Sequence, residues 1–97
     1  MPKAFVVGEI EVNDPETYST YTAQTPAAIA KYGGKFVARG GTVEVLEGAS
    51  PKGRVVVIEF PDLESAKKWY ASEDYQPLIP IRQSASEGRF FLVEGCD

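Results

Sequence analysis

Arg54-Val55-Val56-Val57-Ile58-Glu59-Phe60-Pro61-Asp62 is the stretch on which the fold turns. Four consecutive β-branched residues favour a strand, and a strand sends alternate side chains to opposite faces. Val55, Val57 and Glu59 therefore share one face, and Val56, Ile58 and Phe60 the other. Both faces are largely apolar, so both need cover. In a chain of 97 residues the protein's own helices can cover one of them. The other has to meet something else, and a second copy of the same sheet is the simplest occupant. Pro61 ends the strand, and Asp62 can cap a helix that follows.

Working outward, the chain reads as short strands and helices joined by short loops. Ala4–Val12 is a first strand, closed by Asn13-Asp14-Pro15. Asp14 can cap a helix and Pro15 suits its first position. That helix runs from 15 to about 32. Tyr18, Tyr21, Thr25, Ala28, Ile29 and Tyr32 recur along it at three- and four-residue steps and make one face. Pro26 removes one backbone bond inside it, which predicts a kink. Gly33-Gly34 stops it. A second strand is expected over residues 35–47, with Gly40-Gly41 as a bulge or bend in its middle. Residues 48–53 read as a turn before the third strand, 54–60. A second helix follows over 63–71, turning Leu63, Ala66, Trp69 and Tyr70 inward. Ser72-Glu73-Asp74 opens a short helical piece interrupted by Pro77 and Pro80. A fourth strand is expected over 89–94.

The order is β-α-β-β-α-β within one domain, residues 1–97. That is the ferredoxin-like α+β arrangement, a four-stranded antiparallel sheet with helices on one face. Such a sheet with one wet face alternates apolar and polar residues. Phe5-Val6-Val7, residues 55–58 and residues 90–93 do not. A homodimer in which two open sheet faces meet as a barrel resolves this.

Composition narrows the function classes. The chain carries 10 Lys and Arg against 14 Asp and Glu, a net charge of -4. Nucleic acid, which needs clustered basic residues, is not an expected partner. No apolar run is long enough to span a bilayer, and Met1-Pro2-Lys3 opens no signal peptide. The lone Cys96 makes no internal disulfide, and a cytoplasmic setting is the expectation. The sequence contains no histidine. His-ligated haem or zinc, Ser-His and Cys-His nucleophiles and a His base are thereby excluded. No nucleotide-binding glycine motif and no Cys-x-x-Cys is present, so neither metal nor cofactor is expected. Acidic Glu94 and Asp97 near Cys96 disfavour a reactive thiolate.

Val37-Ala38-Arg39-Gly40-Gly41, Val43-Glu44-Val45-Leu46-Glu47-Gly48, residues 54–62, Trp69-Tyr70, Ser72, Tyr75 and Arg82-Gln83 resemble the small-protein family called domain of unknown function 1330. The resemblance covers nearly the whole chain. It implies the dimeric α/β barrel superfamily, whose relatives include small monooxygenases, haem-degrading enzymes and muconolactone isomerase. It supplies no established activity and no catalytic residue.

Two clusters can carry chemistry. Strand alternation lets Glu9, Glu59 and Arg39 converge on one sheet face, where a carboxylate beside an arginine can act as acid or base or orient a polar ligand. Rim charges, or an ion pair closing the dimer, account for the same residues. The second cluster is Trp69, Tyr70, Tyr75 and Arg82 with the tyrosines of the first helix, an aromatic wall with one arginine suited to a ligand carboxylate. A periodic aromatic core, with Arg82 paired to Glu87 or Glu73, is the plainer account. The ligand-binding candidates are thus Arg82, Tyr75, Trp69, Arg39 and Glu59, with Arg82 and Tyr75 facing a solvent-connected cleft.

Three functions stay open at this point. One is a homodimer that binds a small anionic or aromatic molecule. The second is a cofactor-independent isomerase or monooxygenase-like enzyme, and the third is a structural interaction module. A pocket containing Arg82 or Glu59 favours the first two, and a filled core the third.

Overall fold

A computed structural model describes residues 2–96. The elements are β1 (Ala4–Val12), α1 (Pro15–Lys31), β2 (Lys35–Arg39), β3 (Arg54–Phe60), α2 (Leu63–Ala71), a 3₁₀ turn (Gln76–Leu78), α3 (Ile79–Ala85) and β4 (Ser86–Glu94). The sheet order is β2-β3-β1-β4 with every neighbouring pair antiparallel. This is the expected ferredoxin-like α+β fold, here with three helices.

The helix starts follow from their caps. The Asp14 carboxylate accepts from the Thr17 amide at 3.3 Å and from its hydroxyl at 2.7 Å. Asp62 accepts from the Ser65 amide at 2.7 Å. Pro77 and Pro80 do not interrupt a helix. Each stands in the first turn of its own short element, where a missing N–H costs nothing. α1 ends where Gly33, at φ 81°, lets Gly34 donate back to the Ile29 carbonyl at 3.0 Å.

The helices cover the face of β1 and β3 that carries Val56, Ile58 and Phe60. Ala4, Val6, Ile10, Val56, Ile58 and Phe60 are all 6% exposed or less. Trp69, Tyr75 and Ile29 complete the core above them. Gly8 leaves room on this face for the Phe90 ring, which a Cβ at position 8 would overlap. Tyr70, expected inward, is 43% exposed at the edge of α2. The protein is a slab of 35 × 35 × 16 Å, thick enough for one sheet and one helical layer. Among the described residues nothing covers the outer sheet face, where Phe5, Val7, Val55 and Val57 are half-buried and Phe91 and Val93 exposed.

Strand two differs from the expectation. It ends at Arg39, not at 47, and its bulge lies at Val37 rather than Gly40-Gly41. Phe36 stands opposite Ile58, but Ala38 stands opposite Val57 and Arg39 opposite Val56. Gly40 adopts φ 73° and donates to the Val55 carbonyl at 2.9 Å, after which the chain leaves the sheet. Residues 41–50 are exposed, so the alternation of Val43 and Val45 meets no partner within the protomer. β4 begins at Ser86, three residues earlier than expected, because Gly88 and Arg89 continue the ladder with Ile10 and Glu9.

Candidate functional site

The bulge decides where the charges go. An extra residue in β2 flips the side chains after it to the other face. Arg39 therefore joins Phe36 on the helix side, with its guanidinium carbon 4.3 Å from the Phe36 ring centre. Its Nη2 donates to the Thr22 carbonyl at 3.3 Å. That carbonyl is the one Pro26 leaves without an amide donor four residues on, and α1 continues through Pro26 with this substitute. The Thr25 hydroxyl, 3.5 Å away, reinforces it weakly.

Glu9, Glu59 and Arg39 accordingly do not converge. Glu59 lies on the outer face between Lys3 and Lys35, 3.5 Å from each. Glu9 is on the same face but held by Arg89 at 2.9 Å. In register Glu9 stands opposite Val55, four residues from Glu59, or roughly 13 Å along the strand. The sheet separates both carboxylates from the aromatic cluster.

That cluster does assemble, in the interior. Tyr75 is 0% exposed and Arg82 8%, and neither lines a solvent-connected cleft, whereas Trp69, 1% exposed, backs an open cleft of about 390 Å³ with Tyr70, Phe90 and Leu92. The short elements started by Pro77 and Pro80 fold the segment inward instead. Tyr75 stacks on Trp69 with ring centres 4.1 Å apart. Its hydroxyl shares a 2.7 Å hydrogen bond with that of Tyr21 from α1. The Arg82 guanidinium carbon lies 4.4 Å from the Phe90 ring centre. Neither Glu73 nor Glu87 pairs with it, and its Nε is buried with no partner. The indole N–H of Trp69 is likewise buried and unpaired.

Between α1 and the sheet, next to this cluster, lies a cavity of about 20 Å³ walled by Tyr18, Tyr21, Thr25, Phe36, Phe90 and Ile10. Arg39 and Arg54 reach its rim. Sequence reasoning missed Arg54, although it continues the core-facing row of Val56, Ile58 and Phe60 by simple alternation. Its Nε is also buried without a partner. Among the described residues no carboxylate comes within ion-pair distance of Arg39, Arg54 or Arg82.

The tyrosines register this setting. Burial pushes the Tyr21 phenol far above its ordinary range, and the neighbouring Tyr75 adds to the shift. Burial also raises Tyr75, but the hydrogen bond from Tyr21 and the charge of Arg82 oppose it. Both phenols are held in the neutral form, and either hydroxyl can donate to the other. Tyr18 is raised by burial against the charge of Arg54.

The sequence pattern of the family described as "Domain of unknown function (DUF1330)" matches residues 3–96. The chain belongs to that family. Its fold is shared by solved structures of low sequence similarity. One is the RPA0582 protein of unknown function from Rhodopseudomonas palustris, with 16% identity, a TM-score of 0.79, and coverage of 99% of this chain and 84% of that one. Another is SnoaB, a cofactor-independent oxygenase from Streptomyces nogalater, at 17% identity and a TM-score of 0.65. It covers 100% of this chain and 96% of its own. These neighbours share the ferredoxin-like α+β fold of this DUF1330 member. No curated protein is significantly similar to the chain.

Proposed function

We propose that this DUF1330 protein is a homodimer that binds a small organic anion with an aromatic or conjugated body, inside each protomer between α1 and the sheet. The supporting observation is Arg82: a guanidinium more than nine-tenths buried, with an unpaired Nε and, among the described residues, no carboxylate within ion-pair distance. A buried charge without a counter-charge is costly, so a ligand anion is its natural partner. Trp69, Tyr75 and Phe90 supply the apolar wall, and Arg39 a second positive charge at the rim. Glu59 belongs to the outer face and takes no part in the site.

The outer face fits self-association. Its centre, Val7, Val57 and Phe91, is apolar, and the Glu9–Arg89 and Glu59–Lys pairs stand towards its ends. An apolar centre with a charged rim is the usual anatomy of a protein interface. Thermal-shift measurement with small aromatic carboxylates, phenols and their neutral methyl esters tests the ligand class. A ligand that binds only the native state raises its stability. Carboxylates should raise the melting temperature and their esters should not. Equal shifts from acid and ester would overturn the anion reading.

A cofactor-independent oxygenase is the second reading. It is favoured by the likeness to SnoaB and by the Arg82 charge beside the Tyr21–Tyr75 hydroxyl pair, which could stabilise the anion of a bound phenol. Dioxygen uptake with electron-rich phenols tests it.

A further inference from the structure

The interior cavity, at about 20 Å³, holds a water or two and no organic ligand. Directly outside it, where the end of β1 meets the start of α1, lies an open vestibule of about 570 Å³. Cavity and vestibule share Ile10, Tyr18, Thr22 and Arg54, so these residues form the partition. Ile10 is fixed by the β1–β3 ladder, and Thr22 by its place in α1. The movable parts are the side chains of Tyr18 and Arg54.

Those two close on each other. The Arg54 guanidinium carbon stands 5.8 Å from the Tyr18 ring centre. The guanidinium rests against Gly40, where a Cβ would stand 2.8 Å from Nη2. Glycine at 40 therefore leaves the space in which the arginine lies. Arg54 has no carboxylate partner, and its Nε is buried without a hydrogen bond. Nothing strong anchors the arginine in the closed position. Glu11 lines the outer vestibule but makes no ion pair with it.

We propose that Tyr18 and Arg54 form an anion-selective gate between the vestibule and the interior site. For its ligand this rests on the reading given above. The open gate joins the two spaces. A planar acid enters from the vestibule with its negative group towards Arg54, and Arg39 lies beyond it on the cavity wall. Neutral and cationic molecules of the same size lack that first contact, and a positive charge at the constriction slows cations.

The test reads access and not affinity. In a Cys96→Ser chain, Thr25→Cys puts a thiol in the cavity wall, where position 25 is 3% exposed. Ile29→Cys, at a position 2% exposed, is the second reporter if the first does not fold. Each is treated with a sulfonate-bearing and a trimethylammonium-bearing methanethiosulfonate of similar size, and rates are normalised to those with a free thiol. The sulfonate reagent should react on the order of tenfold faster than the cation. Arg54→Met should abolish that preference, and Tyr18→Ala should accelerate both reagents. A preference that survives Arg54→Met, or a rate unmoved by Tyr18→Ala, overturns the gate. Failure of carboxylates to stabilise the protein would instead count against the binding reading and leave these rates as they stand.

Discussion

The hydroxyls of Tyr21 and Tyr75 share a 2.7 Å hydrogen bond in the core, so removing one costs the other a buried partner. Tyr21→Phe should destabilise by about 1–2 kcal/mol, measured by urea unfolding. The pair also sets an alkaline limit. The folded pKa values of Tyr18, Tyr21 and Tyr75 all lie above the ordinary phenol value of 10.0, chiefly because burial disfavours the phenolate. A folded chain that keeps protons the unfolded chain releases loses stability as pH rises. That stability is fully present below about pH 10 and falls above it. Tyr21→Phe should flatten the fall, and an unchanged slope would show the phenol titrates as in the unfolded chain. The glycine pair divides as sharply. Gly40 is at φ 73° and packed against Arg54, whereas a Cβ at Gly41 meets nothing within 4 Å. Gly40→Val should cost roughly 1 kcal/mol or more and Gly41→Val little, as read from melting temperatures. The sequence marks the pair, but two adjacent glycines carry no sign of which one takes positive φ.

Most elements were legible because their punctuation is local. Asp14-Pro15 and Pro61-Asp62 mark the starts of α1 and α2, and β1, β3 and α2 fall on the residues that alternation and periodicity gave them. β2 was not legible. The Val37 bulge leaves no trace in a run of strand-forming residues, yet it reverses the face of Arg39 and so dissolved the expected Glu9–Arg39–Glu59 group. Arg39 instead substitutes for the amide that Pro26 lacks. That predicts a coupling between the two elements. Arg39→Met should destabilise the protein, and should cost less by about 1 kcal/mol when Pro26→Ala has restored an amide donor to the Thr22 carbonyl. Additive effects in that double-mutant cycle would show that the contact does not support the helix.

For the whole molecule, the outer face carries Val7, Val57 and Phe91 in one row across the sheet with no cover. Val57→Lys would place an unpaired charge at the centre of the proposed dimer. Sedimentation should show a dimer for the natural chain and a monomer for the variant; a natural chain that is monomeric at micromolar concentration contradicts the dimer. The two-sided apolar strands made this face readable from sequence. The interior site was half readable. Trp69, Tyr75 and Arg82 do gather, but their closure from solvent depends on turns begun by Pro77 and Pro80, whose path no periodicity encodes. The central claim is that Arg82 is held in the interior for an anion and not for the fold. Melting curves of the natural chain and of Arg82→Met, with and without an aromatic carboxylate, test it most directly. Removing an unpaired buried charge should leave the ligand-free protein as stable or more so, and should abolish the carboxylate-induced shift. An Arg82→Met protein that unfolds without ligand, or that still responds to the carboxylate, would contradict the account.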